Sequence, residues 1–305
     1  IAAPYKNKLS LKTAKQFSSG DKIPAHCKFT GTDNELITED DCALMGFYLA
    51  EGTAYGNSGG DITKRNGNYE VFFAQTRGLK GGAKGDVKKQ FKEILIRLGY
   101  NVGDYASKSK PGLSILNKAL WSRLIPLGNK YTKSIPREYK ELPQKKLRVL
   151  LHWLLMGDGI IRDATCGRGN ERSYYTVSKK LADDVQEIAI KAGFSARLHI
   201  KTPSSGIIKG RVVRNIAPLY VVSIYSNMYN YLCDTNECYV SSEEYSGPIY
   251  CVEVPNHVVM VRRNGKVAWC GNSLRGPTLH RCYLDECQKM KRDAFDIMYG
   301  RLRGG

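Results

Sequence analysis

Long apolar runs are missing from this sequence. The longest, Val149 to Met156, is interrupted by His152 and falls far short of the ~20 residues that a membrane-spanning helix needs. No basic-then-apolar leader opens the chain, because Ile1-Ala2-Ala3-Pro4 runs into polar sequence. A soluble protein of the cytoplasm, without membrane association, is therefore expected. The nine cysteines (27, 42, 166, 233, 238, 251, 270, 282 and 287) are odd in number and include no CxxC pair. A zinc site wants close ligand pairs, so reduced and mostly buried thiols are expected. GxxxxGK[ST] is absent, and with it the usual cradle for ATP phosphates. Acidic residues are scarce as well: 29 Asp+Glu stand against 47 Lys+Arg, a net charge of +18.

That imbalance points to an anionic partner. The basic residues are spread through folded sequence rather than gathered on one amphipathic helix, which favours nucleic acid. The plainer alternative is a basic surface kept soluble by like-charge repulsion. An apolar fraction of 42% and a charged fraction of 25% are ordinary for a globular protein and exclude wholesale disorder. At ~100–200 residues per domain, 305 residues make about two domains.

The sequence also repeats itself. Leu44-Met45-Gly46-Phe47-Tyr48-Leu49-Ala50-Glu51-Gly52 is matched by Leu151-His152-Trp153-Leu154-Leu155-Met156-Gly157-Asp158-Gly159. Both read as apolar helices ending in an acid followed by glycine. Thr38 with Asp41 makes a capping box ahead of the first, and Pro143 suits the first turn of the second. Gly52 and Gly159 are expected to end the helices with a positive φ. Aromatic and β-branched strands follow, Tyr69 to Thr76 and Ser173 to Val177. Next come amphipathic helices carrying Val87, Phe91, Ile94, Leu95 and Leu98 in one copy and Leu181, Val185 and Ile188 in the other. These close at Leu98-Gly99-Tyr100 and Ala192-Gly193-Phe194, and apolar strands Gly112 to Leu116 and Leu219 to Ile224 end the repeats. The first copy is longer mainly through Tyr55 to Asn68, a Gly/Asn-rich connection carrying Lys64 and Arg65.

If the two helices pack side by side, Glu51 and Asp158 meet at one end of a buried seam, where Gly46, Ala50 and Gly157 allow close approach. Paired carboxylates repel unless a cation lies between them. Hard oxygen donors suit Mg²⁺ or another divalent cation, which keeps waters and phosphate as further ligands. Metals so placed can activate water and stabilise an in-line phosphodiester displacement. A carboxylate at a helix C-terminus opposes the dipole, and its occurrence at equivalent places in both copies argues against two merely solvated acids.

The two nine-residue blocks resemble the signature helices of LAGLIDADG homing endonucleases in their single-chain form. The approach Lys133-Ser134-Ile135-Pro136-Arg137-Glu138-Tyr139 to Leu142-Pro143 resembles that family's lead into its second motif, and the resemblance runs from about Ile37 to Leu232. It implies an α+β fold in which two pseudo-symmetric repeats form a DNA-binding saddle. The partner implied is a long, asymmetric double-stranded DNA target, cut on both strands by a monomer. Glu51 and Asp158 match the metal-binding, catalytic acids, with Gly157 beside them in the metal site. Candidate DNA contacts are Lys64, Arg65, Arg77, Lys80, Arg162, Arg168, Arg172, Arg197 and Lys201, and the family's assisting lysines leave Lys108, Lys110 and Lys201 open. Trp153 stands where the pattern favours a small residue, which implies asymmetric helix packing.

After Leu232 the character changes. Pro248 to Pro255 is β-rich, and His257 to Arg262 leads through Arg263-Asn264-Gly265-Lys266 into Val267-Ala268-Trp269-Cys270, a strong hairpin signal. The segment closes on Gly271-Asn272-Ser273 and resembles the C-terminal splicing region of an intein. That resemblance makes Ser273 the hydroxyl nucleophile and Asn272 the residue that cyclises to cut its own peptide bond. His257 is the helper, and Gly271 replaces the usual penultimate histidine. With Ile1 in place of a Cys or Ser nucleophile, splicing in cis is not expected. The run Arg281 to Glu286 resembles a Walker B element, and with Phe295 to Gly304 the tail is similar to a phage terminase large subunit.

The expected organisation is thus a connector (1–36), repeat 1 (37–141), repeat 2 (142–235), a β-rich splicing segment (236–272) and a host fragment (273–305). The function expected is a site-specific endonuclease embedded in an intein, in a phage-infected or bacterial cell. Three rivals share the residues. An intein with a decayed nuclease is favoured by Trp153 and opposed by intact Glu51 and Asp158. A terminase ATPase fragment lacks the phosphate loop. An intron-RNA maturase is opposed by the Asn272-Ser273 junction.

Overall fold

The computed structural model describes residues 22–25, 27–54, 69–74, 86–105, 111–162, 171–202, 205–208, 211–214, 217–226, 229–231, 246–247, 254 and 258–271. Strand β1 (Lys22–Pro24) precedes helix α1 (Glu39–Glu51). The capping box is present: Thr38 Oγ1 accepts from Asp41 N at 3.1 Å, and the Asp41 carboxylate accepts from Thr38 N at 3.2 Å. Glu39, Asp40 and Asp41 place negative charge in the first turn, where the dipole favours it. Strands β2 (Gly52–Ala54) and β3 (Glu70–Ala74), helix α2 (Val87–Arg97), and strands β4 (Gly103–Tyr105) and β5 (Gly112–Leu116) follow. They form an antiparallel sheet in the order β2-β3-β5-β4.

Helix α3 (Lys118–Leu124), a 3-10 turn at Ile125–Leu127 and helix α4 (Arg137–Lys140) lead to α5 (Gln144–Asp158). Pro143 is the residue before the first turn of α5 rather than within it. Then come β6 (Gly159–Arg162), β7 (Glu171–Thr176), α6 (Lys179–Lys191), β8 (Ser195–Lys201), a hairpin of β9 (Ser205–Ile208) and β10 (Arg211–Arg214), and β11 (Leu219–Tyr225). The second antiparallel sheet has the order β6-β7-β11-β8. Leaving aside the β9–β10 hairpin, chain order and neighbour order are the same in both units. The architecture among the described residues is mixed helix and sheet, and no described helix is long and apolar enough to cross a membrane.

One expectation is corrected at both acid-glycine pairs. Gly52 and Gly159 do not take a positive φ; they are extended, at φ −83° and −115°, and open β2 and β6 directly. Glycine is required there for space: a Cβ at Gly52 would lie 2.7 Å from the Tyr48 carbonyl oxygen, and one at Gly159 would lie 2.6 Å from that of Leu155. Positive φ belongs instead to Gly99 (+82°) and Gly193 (+92°), which close α2 and α6. Gly99 N donates to Ile96 O and Tyr100 N to Leu95 O, with the matching pair from Gly193 to Ile190 and Phe194 to Ala189. Both ends are therefore Schellman caps.

The apolar face of each unit is buried on a common core. Phe47, Phe73, Phe91 and Trp153 form an aromatic cluster, with Phe47–Phe91 centroids at 4.2 Å and Phe91–Trp153 at 5.5 Å. Trp153 fits because its counterpart across the seam is Gly46: a Cβ there would sit 2.5 Å from Leu150 O and 3.1 Å from Trp153 Cβ. The asymmetric packing expected from Trp153 is thus a large residue paired with none.

The remaining described strands form two further antiparallel pairs. β1 pairs antiparallel with β12 (Tyr229–Tyr231). The Asn-Gly hairpin is formed by β13 (Val258–Arg263) and β14 (Lys266–Gly271), with Asn264 at φ 51° and Gly265 at 72°, the signs a type I′ turn needs. Gly265 O accepts from Leu198 N at 3.0 Å and from Nε2 of buried Gln186 at 2.8 Å. The hairpin thereby covers the β8 edge, which would otherwise offer unpaired groups.

Among the described residues the cysteines are free: Cys42 is buried, Cys27 half-buried and Cys270 exposed, so burial holds for only part of the expected set. Desolvation pushes the Cys42 thiol up to about 12, and only the thiolate is nucleophilic. Thiol labelling at pH 8 followed by peptide mapping is therefore expected to modify Cys270 within minutes and Cys42 only on unfolding. Equal labelling of the two in folded protein would contradict this packing.

Candidate functional site

The seam between α1 and α5 sets the geometry. Gly46 lies against Leu150, Trp153 and Leu154, while Ala50 and Glu51 lie against Gly157. Both contacts advance together along the chain, so the helices run parallel and their C-termini meet. A Cβ on Gly157 would meet Ala50 Cβ and approach Glu51 Cγ to 3.0 Å. Glu51 is therefore packed beside the residue preceding Asp158. Gly157→Ala is expected to force the seam apart, at a cost of about 1–3 kcal/mol, and to displace Glu51. Thermal denaturation reads the first effect, and an unchanged melting point would refute the close approach.

Two carboxylates at two helix C-termini concentrate negative charge, and α1 has no basic residue in its last turn. The compensating cation comes from the connector. Lys133, only 7% exposed, donates from Nζ to the carbonyls of Tyr48 (2.8 Å), Leu49 (3.1 Å) and Gly52 (2.8 Å). It also lies 4.9 Å from the Tyr48 ring centroid. Its ammonium thus caps the negative end of α1. Burial pulls its pKa down, while Asp158 and then Glu51 pull it up, leaving it at about 8.

Lys133 is itself held by the second unit. Ser178, the N-cap of α6, accepts from Leu181 N and donates to Lys133 O at 2.8 Å. Buried Asp184 accepts from Ile135 N at 2.8 Å and from Lys140 Nζ at 2.9 Å. In sequence Lys133 stands out only as part of the approach to α5. The signal that could have found it is the acid-ending helix without a basic residue of its own.

The residues fit a divalent cation by their chemistry. Glu51 and Asp158 offer hard oxygen donors, and no cluster of three His, Cys, Asp or Glu occurs among the described residues. Two carboxylates are what a cation retaining water and phosphate ligands uses, whereas structural zinc demands a fuller set of side chains.

The other sequence-derived candidates separate. Arg197 and Lys201 stand on the face of the second sheet away from the core, because Arg197 registers with Ser223 while the buried Leu198 registers with Val222. Lys201 is exposed and lies 5.8 Å from the Tyr175 ring centroid, and exposed His199 shares that face. Arg172 is on the opposite, helix-facing side: it registers with buried Ile224, and its guanidinium lies 5.3 Å from the Phe194 ring centroid. It does not join Arg197 and Lys201, because strand alternation turns it toward α5. Arg162 is in β6 opposite Glu171. Lys64, Arg65, Arg77, Lys80, Lys108, Lys110, Arg168, His257, Asn272 and Ser273 lie outside the described residues, as does the whole 273–305 segment.

Helix-sheet units with one acid at the end of each seam helix define the class of site. No family model matches the chain. It is 27% identical over 264 residues to the DNA-directed RNA polymerase subunit beta C-terminal section of Stigeoclonium helveticum, covering 75% of this chain and 23% of that protein. The ATP-dependent Clp protease proteolytic subunit of Chlamydomonas moewusii is 22% identical, with 83% and 34% covered. The ATP-dependent DNA helicase Hel308 of Thermococcus kodakarensis is 26% identical, with 69% and 20% covered. The chain thus spans about a fifth to a third of the length of these curated relatives. Among solved structures, the homing endonuclease I-DmoI in complex with DNA and Ca is similar at 12% identity, with 62% of this chain and 84% of that one covered and a TM-score of 0.41. The N-terminal LAGLIDADG domain of DUF199/WhiA is similar at 8% identity, with 60% and 74% covered and a TM-score of 0.32.

Proposed function

We propose that this chain is a site-specific DNA endonuclease that cuts both strands with a divalent cation, Mg²⁺ in the first instance, and that it is carried within a protein-splicing element. The observation that carries the reading is the convergence of Glu51 and Asp158 at one end of a close-packed parallel seam, each helix running directly into a sheet of the same strand order. The shared order supports a pseudo-two-fold relation between the units, so that their outer faces straddle a duplex and one chain suffices for both cuts.

Glu51 and Asp158 would hold the cation, which would supply Lewis-acid activation of the scissile phosphate and of water. Lys133 balances their charge from inside the fold. Arg197 and Lys201, on the outer face of the second sheet, would meet phosphates. In the hydrolysis, a water oxygen forms a new bond to phosphorus as one bridging P–O bond breaks, and the departing oxygen takes up a proton. The products are a phosphate monoester and a hydroxyl end.

The splicing element is supported by the relatives, a polymerase subunit, a protease subunit and a helicase, each matched over a minor part of its length. One segment shared by proteins named for unrelated activities is what insertion into different hosts produces. The boundaries 37–141 and 142–235 for the two units, 236–272 for the splicing segment and 273–305 for host sequence are part of this proposal. So are Asn272 and Ser273 as splicing residues and a terminase as host.

The test is cleavage of duplex DNA carrying the host coding sequence from which the segment ending at the Asn272 codon has been removed, with Mg²⁺ and with EDTA. Metal-dependent cutting of both strands at one position is expected. Tight, salt-sensitive binding without cutting would leave only a DNA-binding protein and reject the endonuclease.

A further inference from the structure

The hairpin on the β8 edge has one face inside the fold and one outside. In its register Arg262 stands opposite Val267 and Met260 opposite Trp269, while Arg263 stands opposite Lys266 and Val261 opposite Ala268. Directly opposed residues share a face, and alternate residues along a strand share it too. The first set turns inward: Val267 is buried and Met260 packs on the core. Arg262 donates to the Asp183 carbonyl at 3.0 Å and to Gln186 Oε1 at 3.3 Å, and pairs with the Asp183 carboxylate at 3.3 Å. Asp183 and Gln186 belong to α6, so this face lies on the helix side of the second unit. The second set lies on the side away from α6, where Val261, Arg263 and Lys266 are exposed. Arg197, His199 and Lys201 of β8 stand on that side as well.

Positive charge there is not compensated locally. Strands β8, β11, β13 and β14 carry Arg197, Lys201, Arg262, Arg263 and Lys266, and no aspartate or glutamate. Arg262 is paired with Asp183, whereas Arg263 and Lys266 have no ion pair among the described residues. The tip cannot swing clear of β8 at no cost, because Gly265 O accepts from both Leu198 N and the Gln186 amide. A fixed surface of like charges is stabilised by an anionic partner. Its place in the fold is also defined. β6 leaves the Asp158 end of α5, and β8 is the opposite edge of the same sheet, so the hairpin occupies the flank remote from the acids.

We propose that the β13–β14 hairpin extends the DNA-contacting face of the second unit, with Arg263 and Lys266 meeting backbone phosphates at the outer end of its half-site. The proposal rests on the DNA-binding part of the reading above and deepens it: the second half-site is longer than the four-stranded sheet alone would cover. Contacts to phosphate set affinity and orientation and carry no base sequence.

The experiment compares the full chain with Arg263→Gln combined with Lys266→Gln, binding the duplex described above in EDTA over a range of salt concentrations. A control of equal charge, Lys89→Gln combined with Lys180→Gln, removes two exposed lysines from α2 and α6. The hairpin variant is expected to bind on the order of tenfold more weakly in about 0.1 M salt, with a salt dependence shallower by about 2 in log–log slope. Its hydroxyl-radical footprint should lose protection at one end only, the outer end of one half-site. The control should stay within about twofold of the parent, and all three proteins should melt within about 2 °C of one another, as surface substitutions do. Unchanged affinity and slope in the hairpin variant would overturn the proposal. So would an equal loss in the control, which would make the effect one of net charge. A clear fall in the hairpin variant's melting point would assign the two side chains to holding the hairpin and would overturn it too. Failure of the parent to bind DNA would instead reject the reading on which this inference stands.

Discussion

Glu51→Gln combined with Asp158→Asn is expected to abolish the proposed strand cleavage, by on the order of 10³-fold or more, while the fold survives. The magnitude follows from removing groups that stabilise charge developing in a phosphodiester transition state, where loss of one such contact already costs about 10²–10³-fold. Survival of the fold follows from the electrostatics of the seam. Each carboxylate stands at the negative end of its own helix, an unfavourable arrangement of about 0.3–1 kcal/mol, and the pair repels. Neutral amides relieve both effects. Part of the gain is offset because Lys133 then lacks the two charges that raise its pKa. Overall stability is expected to change by less than about 1 kcal/mol. Single-turnover cleavage in Mg²⁺, DNA binding in EDTA and denaturant unfolding separate these effects. Cleavage by the double variant within tenfold of the parent would remove both acids from the chemistry.

The second large effect belongs to Lys133. Its Nζ serves three carbonyls around the end of α1 and balances both acids. Bonds to a charged donor contribute about 1.5–3 kcal/mol each, and removing one member of a buried charge cluster strands the others. Lys133→Met is expected to destabilise the protein by about 2–4 kcal/mol at pH 7. In the Asp158→Asn background the cost should shrink, as expected when two residues share one electrostatic network.

The pH dependence has a definite sign. The folded pKa, about 8, is depressed below the ordinary 10.5. Between those values the unfolded chain still holds a proton that the folded chain has released, so stability contributed by this group rises with pH across that window. Below about 8 the desolvation penalty is present in full. The difference between parent and Lys133→Met unfolding free energies, measured in EDTA from pH 7 to 10.5, should therefore grow with pH. A flat difference would place the ammonium in water rather than in the seam.

Much of this site was legible in the sequence because its determinants are local. The capping box at Thr38, the apolar stripes of α2 and α6, the closing glycines and the Asn-Gly hairpin each involve residues a few positions apart. Their geometry is dictated by helix and turn sterics. The strands opening at Gly52 and Gly159 were missed because an acid-glycine pair reads equally well as a helix stop. Only the Tyr48 and Leu155 backbones, too close to admit a Cβ, decide for an extended glycine. β4 was missed because Gly103–Tyr105 is short, exposed at all three positions and carries no alternation.

By itself the sequence determined the repeat, the two acids and the small residues beside them, because these recur at one spacing and need no partner to be recognised. Tertiary structure decided what surrounds the acids. It brought Lys133 from the connector to the end of α1, set Gly46 against Trp153, and turned Arg172 away from Arg197 and Lys201. The reason is physical: a desolvated charge or hydroxyl is governed by whatever lies within a few ångströms, and those neighbours come from segments far apart in the chain.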